Sequence, residues 1–151
     1  MAGEGGRKGE EGSGGERIRI MDRETQELLD SAKLYLDLFE SIQSGEKTEF
    51  IKWCHLASAA IRISTLHEKN GKKIKKEDME RICNSTYDVV KEEIKKDLVK
   101  YAYILLRDNI CHFENKKMKY YEYRPQLIKA VGMDQMWKAI KEDYCKLCKC
   151  P

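Results

Sequence analysis

Three cysteines close the chain in a C-x2-C-x-C run, Cys145, Cys148 and Cys150. A C-x2-C pair lets two thiolates reach one tetrahedral Zn²⁺, and Cys111 or His112 could add a further ligand if the segment carrying them packs beside the C-terminus. The pattern is incomplete, because neither a second C-x2-C nor an H-x3–5-H accompanies it. One structural zinc is therefore one reading, and a frayed tail with exposed thiols beside lysines is the other. Redox use of C-x2-C belongs to a helix N-terminus in a βαβ setting. Here the motif follows a helix in a chain read as all-α.

The other reactive side chains form no constellation. Cys54-His55 and Cys111-His112 are adjacent in sequence, so the two side chains of each pair diverge, whereas a catalytic Cys–His couple must meet in space. His55, His67 and His112 are scattered and make no HExxH. His67 reads as a complement to a helix C-terminus. Glu92-Glu93 and Glu142-Asp143 read as solvated helix faces. The glycines near the N-terminus follow no strand and open no helix, so they are no phosphate loop. The chain is expected not to be an enzyme.

Two basic runs carry more. Lys72, Lys73, Lys75 and Lys76 follow Gly71. Lys116, Lys117 and Lys119 run into Tyr120, Tyr121, Tyr123 and Arg124. Bases beside aromatics suit single-stranded RNA or DNA, since charge tracks phosphate and rings stack on bases. Against this stand a net charge of only +3 and the absence of a nucleic-acid motif. Charge is unevenly spread: residues 22–46 hold seven acids against two bases.

The elements that must position these residues are helices. Over residues 76–109 there is no Pro or Gly, and Met79, Cys83, Tyr87, Val90, Ile94, Leu98, Tyr101 and Leu105 recur at helical spacing. One helix of that length would run ~50 Å, against a diameter of ~36 Å for a domain of this size. Asn84-Ser85-Thr86 compete for backbone hydrogen bonds, so a break is predicted there, with a second helix running to about residue 109.

A first helix is predicted over 22–43, capped by Asp22, with Leu28, Ala32, Tyr35, Leu36, Phe39 and Ile42 inward. Ser44-Gly45 stops it. A second is predicted over 48–69, with Phe50, Ile51, Cys54, Ala57, Ala60, Ile61 and Leu66 apolar, ended by Asn70-Gly71. The short link makes the two an antiparallel hairpin. Residues 110–124 read as a loop, Pro125 starts a short helix to Val131, and Asp134 caps a last helix to about Cys145. The result is one all-α bundle of five to six helices over 18–151, behind a disordered Gly/Glu-rich tail over 1–17 that lacks the apolar surface to fold.

No window is apolar enough to span a bilayer and no signal core opens the chain, so a cytoplasmic or nuclear protein with reduced thiols is expected. The sequon at Asn84 is discounted on the same ground. A bundle with no cofactor signature acts through an exposed groove or helix face. The expected function is thus a non-enzymatic regulatory or interaction protein with a protein partner; nucleic-acid binding and a zinc-stabilised regulatory domain are the alternatives. Residues 101–106 are apolar on more than one face, which means burial within the chain or a homodimer. The short length, low-complexity tail and Cys-rich end fit a small viral or host regulatory factor on composition alone.

Overall fold

The structure is a computed structural model that describes residues 21–72, 75–111 and 120–149, the side chains of 107–111, 120 and 121 excepted. Seven helices follow one another among the described residues: α1 (Arg23–Ser41), α2 (Glu49–Lys69), α3 (Lys76–Asn84), α4 (Tyr87–Lys96), α5 (Leu98–Cys111), α6 (Tyr120–Val131) and α7 (Met133–Cys148). No strand occurs among them, so the all-helical class holds while the helix count exceeds the expected five or six. The stretch 1–20, which includes the predicted tail, lies outside the described residues.

Local chemistry sets several helix ends. Asp22 caps α1 by accepting a hydrogen bond from the Thr25 N–H at 2.8 Å. Lys69 and the Thr25 N–H hold the Asp22 carboxyl down at about 2. α2 ends in a Schellman turn: the Gly71 N–H donates to the Glu68 carbonyl and the Lys72 N–H to the His67 carbonyl. Gly71 adopts φ 82°, a conformation that strains any residue bearing a Cβ.

The predicted break at 84–86 is real, since α3 ends at Asn84 and α4 begins at Tyr87. A second break was not expected. Asp97 leaves helical geometry at φ −149°, and its carboxylate accepts the Lys100 N–H at 3.1 Å, which starts α5 afresh. The reading of 110–124 as loop is corrected in part, because α6 already begins at Tyr120 and carries Pro125 inside it. α7 likewise runs on to Cys148, ended by Lys149 in the left-handed region.

α1 and α2 form the expected hairpin, and α5 packs against α2, α4, α6 and α7. Residues Tyr101, Ala102, Tyr103, Ile104, Leu105 and Leu106 are all buried, so the apolar faces of this run are covered within one chain. The apolar excess of this run is therefore accounted for by burial within the chain.

The inward face of α2 differs from expectation. Leu56, Ala59, Ala60, Ile63 and Leu66 are buried, whereas Phe50 is 77% exposed and Cys54 only half-buried. The same face carries Lys52, 5% exposed. Its ammonium donates to the Ile42 carbonyl and the Ser44 hydroxyl, both at 3.1 Å, and lies 4.5 Å from the Phe39 ring centroid. A lysine is buried here because it satisfies a carbonyl that the end of α1 leaves open. Lys52→Met keeps the bulk and removes the donor. It is expected to lower stability by about 1.5–2 kcal/mol, read as a lower urea midpoint with an unchanged slope.

Candidate functional site

Five elements meet around a cleft of about 560 Å³. The last two turns of α2 supply Ser64, His67 and Glu68, and the Schellman turn places Lys72 at the edge of the cleft. Lys75, Asp78 and Met79 come from the start of α3, Asp97 and Lys100 from the α4–α5 junction, and Asp143 from α7.

A buried polar network closes the cleft on the core side. The Asp143 carboxylate accepts a hydrogen bond from the Tyr103 hydroxyl and faces His67 Nε2 at 2.6 Å on the same oxygen. Burial alone raises the Asp143 carboxyl, but the hydrogen bonds from His67 and Tyr103 outweigh it and hold the group below the ordinary carboxylate range. Burial first, and then the contact with Asp143, pushes the Tyr103 phenol far above its usual value, so it stays a donor. An ionised carboxylate only accepts, so Nε2 of His67 carries the proton and a neutral imidazole keeps its lone pair on Nδ1. The network ties α2, α5 and α7 together at one point.

A depressed carboxyl contributes stability above its unfolded-state value of ~4 and loses it as pH falls through its lower folded value. The melting-temperature gap between the native chain and Asp143→Asn is therefore expected to be widest above about pH 5 and to narrow below about pH 4. A gap that stays constant across that range would contradict this reading of the network.

The expected site residues are dispersed. Lys72 and Lys75 line the cleft, while Lys76 points outward, 4.0 Å from Glu80. Lys73, Lys116, Lys117, Lys119, His112 and Cys150 lie outside the described residues. Tyr120 and Tyr121 form the first turn of α6. Arg124, grouped with the second basic run, is 9% exposed and faces the interior rather than solvent. Tyr123 is buried too, and its hydroxyl donates to the Ser85 carbonyl at the α3–α4 break. Burial pushes its phenol up to about 12.

Cys145 and Cys148 lie one turn apart on α7, both half-buried, and Cys111 ends α5. Among the described residues no group of three or more His, Cys, Asp or Glu side chains is placed to hold a metal ion. Nor does any disulfide join two of the described cysteines Cys54, Cys83, Cys145 and Cys148. Among the described residues no helix is long and apolar enough to cross a membrane.

Asp143 and His67 are the residues that the sequence reading misplaced. In sequence Glu142-Asp143 reads as a solvated helix face and His67 as a complement to the helix dipole, whereas the two side chains meet at the cleft. One signal was present. Met136, Ile140, Asp143 and Leu147 follow the four-three-four spacing of a buried stripe, which puts the carboxylate on the inward face of α7. Its partners, 76 and 40 positions away, leave no such trace.

A second opening differs in character. Between α4 and α6 lies a groove of about 250 Å³, reached also by the start of α5 and of α7. Ile94, Leu98, Leu127 and Val131 form its apolar lining, and Lys91 and Lys95 flank it. Ala130 lies on its exposed wall. Comparison of the chain with family models, with curated proteins and with solved structures returns no match.

Proposed function

We propose that this chain is a non-enzymatic interaction protein that binds a protein partner in the groove between α4 and α6. The observation that carries the reading is the combination of an apolar lining with a lysine flank, Ile94, Leu98, Leu127 and Val131 beside Lys91 and Lys95. The groove opens above Leu98 and Val131, which stay partly exposed, while Ile94 and Leu127 form its buried floor. One large apolar side chain buried there contributes about 1.5–3 kcal/mol. A partner helix brings two or three such anchors on one face, and acidic residues beside them match the lysines. The proposed occupant is thus an acidic amphipathic helical segment.

Nucleic-acid binding has less support. Lys72 and Lys75 share their cleft with Glu68, Asp78, Asp97 and Asp143, and Arg124 is buried.

Selection of random displayed peptides on the whole chain tests the proposal. Enriched peptides are expected to combine helically spaced apolar residues with Asp or Glu. Ala130→Arg fills the groove from an exposed helical position that tolerates a long side chain. It is expected to weaken those peptides at least about tenfold, or ~1.4 kcal/mol. Lys91→Glu with Lys95→Glu is expected to weaken them as well, and Lys138→Glu on α7 to leave them unchanged. Peptides that bind equally well to Ala130→Arg would overturn the reading.

A further inference from the structure

The cleft beside His67 shares no lining residue with the groove, and its charges are not all matched within the protein. The Asp78 carboxylate is engaged on both oxygens, by Arg81 at 3.4 Å and Lys100 at 3.0 Å. Asp143 is engaged by His67 and Tyr103, and Asp97 caps α5. Lys72 and Lys75, by contrast, have no carboxylate within ion-pair distance among the described residues. His67 lines the same cleft with a fifth of its side chain exposed. Its Nδ1 has no hydrogen-bond partner among the described residues, and Asp143 fixes the tautomer that leaves a lone pair there in the neutral ring.

We propose that the cleft is a binding site for a small anionic ligand that also bears a hydroxyl or amine donor. The anionic group, a phosphate or a carboxylate, lies against Lys72 and Lys75. The donor hydrogen-bonds to Nδ1 of His67, and Met79 and Val99 supply apolar walls for the carbon skeleton between them. Such a site works because its acceptor is held in advance: Asp143 and Tyr103 lock the imidazole from the core side, so little orientational freedom is lost on binding. Glu68, exposed on the lip, and Asp97, which caps α5, have no ion-pair partner among the described residues and are the charges that oppose the anion. The site rests on different residues from the groove and stands or falls independently of it.

The experiment uses the full chain with glycerol 3-phosphate, glycerate and glycerol as probes, followed through the imidazole signals of His67 by NMR. Saturable shifts are expected with at least one of the two anions and not with glycerol. Response to the phosphate alone or to the carboxylate alone identifies which anion the cleft takes. Lys72→Gln with Lys75→Gln changes exposed side chains only and is expected to weaken binding about tenfold. Glu68→Gln is expected to strengthen it about twofold. The proposal is overturned if neither anion gives a saturable shift, if glycerol binds as well as they do, or if the double lysine replacement leaves affinity unchanged.

Discussion

Asp143→Ala is expected to lower stability by about 3–4 kcal/mol, the loss that follows when a buried, hydrogen-bonded charge is removed and its partners are left behind. Tyr103 is buried in the core, so its hydroxyl would lose its acceptor without gaining water. His67 would lose the group that orients it. For a chain of this size the change corresponds to a fall in melting temperature of ~10 °C. Tyr103→Phe removes one donor and leaves Asp143 with His67, which places its cost nearer ~1–2 kcal/mol. The double variant separates the network from the sum of its parts. A coupling of at least ~1 kcal/mol between the two positions is expected, because the Tyr103 hydroxyl donates directly to the Asp143 carboxylate. Additive losses would mean that the contact contributes only through packing.

Leu106→Ala is the second large effect, expected at about 3–4 kcal/mol from lost burial and the cavity left behind. Leu106 has no exposed surface and lies on the helix that touches α2, α4, α6 and α7. With neighbours on several sides the site cannot collapse by shifting one helix, which places it in the upper part of the usual range. Leu34→Ala on α1 is the control. That side chain is 55% exposed, so its loss is expected to fall within about 0.5 kcal/mol of zero. Equal effects at the two positions, read from urea midpoints, would contradict the central place given to α5.

Much of this fold is legible in sequence because it is written in local terms. The Asp22 cap, the Asn70-Gly71 stop and the break at 84–86 each depend on a few adjacent residues whose preferences agree. Where local terms compete, legibility fails. Asp97 stands inside an unbroken apolar rhythm, so periodicity carries the eye past it, while its carboxylate starts a new helix. Pro125 suggests a helix start, yet α6 begins a turn earlier. On α2 the residues Phe50 and Ile51 look inward by type and are exposed by register, whereas Lys52 looks outward by type and is buried by the needs of a neighbouring helix end.

The sites follow the same logic. The lysines of the first basic run could be named from sequence, and two of them do meet in one cleft. The carboxylates that share it come from α2, α3, the α4–α5 junction and α7, so the electrostatic character of the cleft exists only after folding. The groove is harder still, since Ile94, Leu98, Leu127 and Val131 look like any core residues until the packing leaves a gap above them.

The most direct test of the interaction groove is amide chemical-shift mapping of the whole chain with one peptide from the selection. Shifts are expected to concentrate on residues 91–98 of α4 and α5 and 127–135 of α6 and α7, and to vanish in Ala130→Arg. Shifts that gather instead around His67 and Asp143, or that persist in Ala130→Arg, would contradict the account.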